Sequence, residues 1–315
     1  NLPSLRRNIV YQFLYELLIV FIPLFTIPYV SRVLGAENIG LFSYTYAVAN
    51  YFVLFANLGI KNYGSRTIAM VRNNKEELNR NFSEILSIHI IFSIIVIFVY
   101  LVLLFFFVED NLVIFLIQSI YIFAAVFDIN WFFFGIEKFK LTVGRNTLVK
   151  ILSVFLVLVF VKTQTDLWIY ALILALSVFV GQSVVWFALK QYVSWRRPSW
   201  ANMKQHIRPL FVLFLPILAL SLYKYMDKIM LGSISSNVQV GFYENAEKII
   251  NVPMSLIMAF GVVLMPRIAN MVTSKDKGEV FKLIDMSMEA VMLLAIAISF
   301  GLAGISFVLA PIFFG

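Results

Sequence analysis

The chain has 315 residues, of which 61% are apolar and only 13% are charged, and its formal net charge is +8. Soluble domains carry about 25% charged residues, so this composition excludes a soluble globular protein and indicates that lipid solvates much of the chain. The chain contains no cysteine, which excludes disulfides, thiolate catalysis and zinc–thiolate sites. Its two histidines are far apart in sequence and predict no metal site.

Long apolar stretches recur along the chain. A membrane-crossing helix needs roughly 20 mostly apolar residues. Nine stretches meet that requirement, and they lie at 9–31, 40–60, 83–108, 112–135, 147–165, 167–189, 210–231, 241–265 and 283–310. The first is longer than the apolar core of a signal peptide, and no small-residue cleavage site follows it. The sequence therefore predicts an all-α, polytopic membrane protein with nine transmembrane helices.

The connections between these spans differ in charge. The basic connections, together with two N-terminal arginines, hold most of the 25 lysines and arginines, and they are 61–82, 136–146, 190–209 and 266–282. The connections that alternate with them, such as 32–39, 109–111 and 232–240, are short and almost free of basic residues. Because basic loops are retained in the cytoplasm, we predict a cytoplasmic N-terminus. With its positive charge placed in this way, the chain is expected to have no nucleic-acid partner.

Two distant stretches indicate an internal repeat. The segments 66-RTIAMVRNNKEELNR-80 and 267-RIANMVTSKDKGEVFK-282 start 201 residues apart, and Gly40 and Gly241 share that offset. Leu34-Gly35 and Leu231-Gly232 also correspond if a four-residue loop difference is allowed. Six spans separate the copies, so the two halves have the same orientation and are related by an axis along the membrane normal.

The repeat predicts two parallel six-helix lobes. We assign residues 1–205 to the first lobe and residues 206–315 to the second, which then holds only three helices. A symmetric protein would need at least three further spans, so we expect the sequence to be a truncated form of a longer protein.

Three charged residues interrupt the seventh span. Lys224, Asp227 and Lys228 are about one helical turn apart and share a face. Each charge near the middle of the bilayer costs about 2.5–3.5 kcal/mol, so this face must contact protein or water rather than lipid. Asp227 is expected to neutralise one of the lysines.

Other spans also have a polar side. The residues that form these sides include Gln12 and Glu16 in the first span, Asn50 in the second, Asp128 in the fourth, and Glu244, Glu247, Lys248, Asn251 and Ser255 in the eighth. Polar sides that face one another would enclose a hydrophilic cavity. The alternative is a set of ion pairs without a substrate, and Glu244 and Lys248, four residues apart, fit that alternative. For Glu16 and Asp128, a role in ion coupling and a buried structural partner both stay open.

Prolines interrupt several of these spans. Pro23 and Pro28 lie in the first span, Pro216 in the seventh and Pro253 in the eighth. Proline removes a backbone donor and bends a helix, so these positions are candidate hinges near a binding site. A single proline can also be a simple kink.

Three stretches resemble the bacterial polysaccharide repeat-unit flippases, which belong to the multidrug/oligosaccharidyl-lipid/polysaccharide exporter superfamily. They are 23-PLFTIPYVSRVLGAENIGLFSY-44, 128-DINWFFFGIEKFKLTVGRNTLVK-150 and 227-DKIMLGSISSNVQVGFYENAEKI-249, and the resemblance extends over the whole chain. It implies about 12–14 spans in two lobes around a central cavity, of which this chain holds nine.

The resemblance also implies a function. The expected substrate is an oligosaccharide repeat unit of O-antigen, capsule or exopolysaccharide on undecaprenyl diphosphate. A transporter of this kind, which is not an enzyme and needs no cofactor, moves it across the bacterial plasma membrane by alternating access coupled to H+ or Na+. A polysaccharide polymerase and a chain-length regulator are candidate partners.

This resemblance gives the polar residues provisional roles. Lys224, Lys228 and Lys248 are expected to attract the diphosphate, while Asp227 and Glu244 position them. Arg32 at the outer mouth, Asn50 and Asn251 complete the expected substrate-binding set. Glu16 or Asp128 would couple the ion to closure of the cavity.

Three other interpretations remain open. A drug or organic-cation antiporter of the same superfamily would have a cavity dominated by carboxylates and aromatic rings. A membrane-embedded glycosyltransferase or polymerase would need acids or bases in an external loop, and segment 232–240 has no ionisable residue. A truncated form could also lack transport activity.

Overall fold

The computed structural model describes the backbone of residues 2–273 and 277–314. Side chains are described from Thr26 onward, except at positions 139, 140, 143, 256, 258–267, 269–277 and 279. The α-helices, numbered in chain order, are α1 Leu2–Asn57, α2 Ile60–Val71, α3 Lys75–Phe107, α4 Leu112–Val126, α5 Asn130–Gly135, α6 Phe139–Phe160, α7 Leu167–Leu189, α8 Trp200–Ile234, α9 Asn237–Thr273 and α10 Lys277–Phe314. A short 3-10 helix, Gln164–Asp166, precedes α7. The described backbone holds no strand, which confirms the all-α class.

The long helices are apolar enough to cross a membrane. Within the described residues, six segments have the length and composition for this, and they are Thr26–Val71, Lys75–Phe107, Leu112–Gly135, Gln164–Leu189, Trp200–Ile234 and Val280–Phe314. Consecutive phenylalanines on α3, Phe105, Phe106 and Phe107, are each more than 70% exposed, as lipid-facing side chains would be. These features confirm a polytopic membrane protein.

The first two predicted spans form one continuous helix with a sharp break. We expected a loop at 32–39, but the backbone is helical on both sides of Gly35, which has φ 76° and ψ 167°. Glycine adopts this left-handed region without a steric penalty, so one residue is enough to redirect the chain. The break lies seven residues after Pro28, so the sharp bend in α1 is at a glycine rather than at this proline.

The other expected hinges lie inside helices. Pro216 is within α8 and Pro253 is within α9. Pro23 falls among the residues whose side chains lie outside the described part of the structure. A hinge role for these prolines stays a prediction.

Helices α1 and α9 approach so closely at two glycines that side chains are excluded. A Cβ atom on Gly40 would overlap the carbonyl oxygen of Asn237, and a Cβ atom on Gly241 would overlap that of Ala36. Gly40 and Gly241 are 201 residues apart, and so are Ala36 and Asn237. The two contacts are therefore the same contact made twice with the halves exchanged. Reciprocal contacts of this kind are produced by a two-fold axis.

A second reciprocal pair lies beside this crossing. Ser31 donates a buried hydrogen bond of 3.2 Å to Asn245, and a Cβ atom on Gly232 would overlap the ring of Tyr44. These residues again correspond at an offset of 201. The contacts therefore support the repeat. They relate the two halves by a constant offset of 201 residues, whereas the alignment of Leu34-Gly35 with Leu231-Gly232 needed a four-residue loop difference.

With that offset, the two halves break at the same place. Gly35 corresponds to Ser236, and α8 ends at Ile234 while α9 begins at Asn237. The expected loop at 232–240 is therefore only a two-residue interruption, like the single-residue break in α1. Ser31, Ala36, Gly40 and Tyr44 thus make reciprocal contacts with the second half of the chain. We name this set of contacts the repeat crossing.

An aromatic core fixes α2, α3, α5 and α8 to one another. Phe82 and Trp131 are buried and stack with a ring separation of 5.5 Å, and Phe132 meets the Phe82 ring edge-on at 4.9 Å. Gly64 leaves the space that the Trp131 ring fills. The short helix α5 is therefore part of a packed core and not a surface loop.

Replacing Gly40 with alanine tests the repeat crossing. The added methyl group would overlap a backbone carbonyl, which cannot rotate away, so Gly40→Ala should destabilise the fold by about 1–3 kcal/mol. The measurement is thermal unfolding of the full chain in detergent. Gly304→Ala is the matched control, because a Cβ atom at Gly304 meets no atom within 4 Å. Equal melting temperatures for the two variants would contradict the close approach.

Candidate functional site

Four charged residues of α8 and α9 form a paired network. Lys228 is buried, and its Nζ lies 2.6 Å from an oxygen of Glu244 and 2.8 Å from an oxygen of Glu247. The other carboxylate oxygen of Glu244 is 3.3 Å from Lys248 Nζ. We name these four residues the α8–α9 ion network. Two cations balance two anions, which reduces the cost of placing them inside the membrane.

The expected partnership of Asp227 is wrong. Asp227 was predicted to neutralise a lysine of its own helix, but its carboxylate accepts a 2.6 Å hydrogen bond from the Tyr243 hydroxyl. No described lysine forms an ion pair with it. The reason is that the carboxylates of α9 reach Lys228 across the helix interface, whereas adjacent residues of one helix point about 100° apart. A role of Asp227 in positioning the lysines stays a prediction.

Lys224 is separated from this network. It is exposed, and its Nζ lies 5.5 Å from the centre of the Tyr225 ring, a cation–π distance. Lys224 and Lys228 thus lie on one helix in different surroundings. The exposed lysine is free to meet a ligand, while the buried lysine is engaged by two carboxylates.

Polar residues of α9 open onto a cavity, as their spacing predicted. Lys248, Asn251 and Ser255 line a cavity of about 380 Å³ whose other walls come from α1, α6 and α7. Lys150 of α6 lines it as well. We name this space the central cleft. Its volume is within the usual range for small-ligand sites, about 300–1,000 Å³, and most of its lining is apolar with a few polar groups.

A second cavity of about 390 Å³ adjoins the central cleft and shares Lys150 and Ser153 with it. Arg145 also lines this second cavity, and its guanidinium donates to Asn130 at 3.2 Å and to Gln182 at 3.3 Å. The two cavities together carry three basic side chains, those of Lys150, Lys248 and Arg145.

Asp128 lies near this basic region in a structural setting. Its carboxylate accepts a 3.0 Å hydrogen bond from the backbone N–H of Asn130, at the start of α5. Lys61 and Arg145 are among the charges that act on it. The structure therefore provides a local partner for Asp128, and its role in ion coupling stays a prediction.

A larger cavity, about 1,050 Å³, is mainly apolar and lies between α1, α9 and α10. Arg32 and Pro253 line it. The Arg32 guanidinium donates to the backbone carbonyl of Ile312 on α10. Arg32 thus lines a different space from Lys248, and its expected role at the outer mouth stays a prediction.

The two remaining expected site residues have different outcomes. The Asn50 side chain donates a 2.8 Å hydrogen bond to the Tyr46 carbonyl one turn earlier, so its amide is held by its own helix. Glu16 falls among the residues whose side chains lie outside the described part of the structure.

Sequence reasoning missed Lys150 as a cleft residue. The fifth span was expected to start at residue 147, directly after the basic connection 136–146, which would place Lys150 at the cytoplasmic end of the span. Helix α6 begins at Phe139, so Lys150 lies three turns inside it, about 16 Å along the axis. The signal was the continuous segment 128–150 in the family-like motif, which carries Arg145 and Lys150 without a helix-breaking residue between them.

Membrane-crossing helices around cavities with basic side chains define a polytopic membrane protein. Residues 5–272 match the family described as "Polysaccharide biosynthesis protein", and the chain belongs to this family. It is similar to a protein of Escherichia coli (strain K12) named "Putative O-antigen transporter", with 27% identity over 88% of this chain and 68% of the relative. A protein of Shigella dysenteriae with the same name is 24% identical over 85% of this chain and 68% of its own length. No solved structure matches the chain.

Neutralising Lys228 tests the ion network. Lys228→Met would leave Glu244 and Glu247 without their shared cation, and breaking a buried pair costs about 3–5 kcal/mol. We expect a large fall in the melting temperature of the detergent-solubilised chain. Lys224→Met, an exposed change on the same helix, should have little effect. The double variant Lys228→Met/Glu247→Gln, which leaves Glu244 paired with Lys248, should recover part of the lost stability. A network without energetic coupling would show no such recovery.

Proposed function

We propose that the protein moves undecaprenyl-diphosphate-linked oligosaccharide repeat units from the inner to the outer leaflet of the bacterial plasma membrane. The family and the transporter names of its relatives support a role in polysaccharide biosynthesis. The observation that carries the proposal is the central cleft, where Lys150 of α6 and Lys248 of α9 line one cavity between membrane-crossing helices.

The two lysines belong to different halves of the repeat. Under the division that we propose, residues 1–205 form one lobe and residues 206–315 belong to the other, so Lys150 and Lys248 approach the cleft from opposite lobes. A diphosphate between them would accept charge-assisted hydrogen bonds from both, and such bonds are roughly twice as strong as neutral ones. The substrate would thereby link the lobes while it is bound.

The ion network suggests how substrate and coupling ion interact. The contact from Lys248 to Glu244, at 3.3 Å, is the longest ion pair of the network, so it is the contact that a diphosphate would replace most readily. Glu244 would keep Lys228 as a partner. A carboxylate that loses one of two cations becomes a better proton acceptor, which makes Glu244 the principal candidate for H+ coupling. Glu16 and Asp128 remain further candidates.

The repeat crossing suggests which side of the cleft is closed. Under a cytoplasmic N-terminus, Ala36 and Gly40 lie on the external side of the membrane, beside the break of α1 at Gly35. Their contacts with α9 would then keep the external side shut, and the cleft would open toward the cytoplasm. Alternating access requires these contacts to separate when the lobes move.

The nearest alternative is export of an organic cation. Tyr46 and Tyr121 line the cavity next to the central cleft with their rings 5.1 Å apart, which suits a cationic ligand. Lys150, Lys248 and Arg145 oppose it, because they would repel a second cation in a site of low dielectric.

Removing the two cleft lysines tests the substrate assignment. In cells that depend on this protein for repeat-unit export, Lys150→Ala/Lys248→Ala should lower surface polysaccharide by tenfold or more, because each charge-assisted bond contributes about 1.5–3 kcal/mol. Lipid-linked repeat units should accumulate in the inner leaflet. The matched control is Lys190→Ala/Lys204→Ala, which removes two exposed lysines outside the cleft. Normal polysaccharide at equal expression of the double variant would end the lysine assignment.

Locking the repeat crossing tests alternating access. The chain has no native cysteine, so Ser31→Cys/Asn245→Cys introduces the only thiol pair. In the native protein, Ser31 Oγ and Asn245 Oδ1 are 3.2 Å apart. We expect oxidation to join the two introduced thiols. We expect transport in membrane vesicles to stop on oxidation and to return on reduction, with each single-cysteine variant insensitive to oxidant. Undiminished transport by the cross-linked protein would show that the crossing does not open.

A further inference from the structure

A basic cavity lies away from the central cleft. Helices α2, α3 and α8 enclose about 540 Å³, and this cavity shares no lining residue with the central cleft. Its lining includes Arg66 of α2, Arg80 of α3 and His206 of α8. We name it the α2–α3–α8 pocket. None of these residues has a role in the proposed transport mechanism.

The two arginines carry the positive charge of the pocket. Arg66 and Arg80 are exposed, and neither forms an ion pair with a carboxylate of the described chain. Two acids of the same region have other partners, since Glu76 lies 2.9 Å from Arg196 and Glu137 lies 2.5 Å from Arg72. Arg66 and Arg80 therefore line one cavity without a described ion pair.

The buried histidine that lines the pocket already has hydrogen-bond partners. His206 is buried, with Nε2 2.9 Å from a Glu84 oxygen and Nδ1 2.6 Å from the Tyr63 hydroxyl. Both ring nitrogens are engaged, so the imidazole joins α2, α3 and α8 and has no free position for a ligand. A ligand in this pocket would interact with the arginines at its edge.

The outer wall of the pocket is apolar and faces outward. Met70 is 70% exposed and Val212 is 59% exposed, and Leu215, one turn further along α8, is also exposed. Hydrocarbon side chains exposed on a membrane-crossing helix are solvated by acyl chains. The pocket thus combines two unpaired guanidinium groups with a surface that continues into the bilayer.

We propose that the α2–α3–α8 pocket binds an anionic phospholipid of the cytoplasmic leaflet, with the phosphate at Arg66 and Arg80 and the acyl chains along the exposed face of α8. Guanidinium groups bind phosphate oxygens through two parallel hydrogen bonds, and basic pockets between helices on the cytoplasmic side bind anionic head groups. The alternative is that these arginines only reflect the general enrichment of basic residues on the cytoplasmic side of a membrane protein. In that case the positive charges would be scattered over the surface. Here two arginines from different helices line the same cavity.

Lipid titration of the purified full chain tests this site. Delipidated protein in detergent is titrated with dioleoylphosphatidylglycerol, with dioleoylphosphatidylcholine and with inorganic phosphate, and bound species are counted by native mass spectrometry. We expect one tight phosphatidylglycerol adduct that Arg66→Gln/Arg80→Gln weakens by about tenfold or more. Equal binding of phosphatidylcholine, or equally tight binding of inorganic phosphate alone, would overturn a site for an anionic lipid.

Matched variants separate the pocket from overall charge. Lys204→Gln/Arg208→Gln removes an equal charge from the first turns of α8, at residues beside the pocket that do not line it, and should leave the tight adduct unchanged. An equal loss in this control would overturn the proposal. Arg66→Lys/Arg80→Lys keeps the positive charge but lacks the planar guanidinium groups, so it should bind phosphatidylglycerol with intermediate strength. This variant provides a second comparison with the unmodified protein if the glutamine variant unfolds.

Discussion

The low dielectric of the bilayer is the constraint on which this structure depends. A charged side chain inside the membrane must meet a counter-charge or water, because lipid offers neither. Lys228 has counter-charges in Glu244 and Glu247, and Lys248 has one in Glu244 and also lines the central cleft. The charged segment of α8 is therefore tied to α9, and α9 is tied to α1 by the repeat crossing. This chain of contacts places the basic side chains around an internal cavity.

The repeat crossing and the ion network have complementary roles in the fold. The crossing depends on the absence of side chains at Gly40 and Gly241, so it is a rigid contact between backbones. The network depends on long side chains whose partners can be exchanged, as would happen if a phosphate displaced Glu244 from Lys248. A transporter needs both properties, because one set of contacts must define a closed state and another must respond to the ligand. The reciprocal geometry at an offset of 201 residues further indicates that this contact is a property of the repeat itself.

Much of the fold could be predicted because lipid imposes a simple pattern on the sequence. The length of the apolar stretches predicted helices. The charges of α8 were expected to share one sheltered face, but only Lys228 is buried, whereas Lys224 is exposed. The choice of partner could not be predicted in the same way. Lys228 pairs with α9 and not with Asp227, because the outcome depends on how two helices are rotated against each other. Lys150 was missed because α6 begins within a segment that polar residues make look like a loop.

The central claim is that the polar side of α9 is turned toward an aqueous cleft that holds the substrate diphosphate. The absence of native cysteine allows a direct measurement with Asn251→Cys, next to Lys248 in the cleft lining, in inside-out vesicles treated with a membrane-impermeant thiol reagent. The account predicts that this thiol is labelled and that undecaprenyl diphosphate slows the labelling, whereas Phe105→Cys on the exposed face of α3 is not labelled. The account would be contradicted if Asn251→Cys were not labelled, or if undecaprenyl diphosphate left its rate of labelling unchanged.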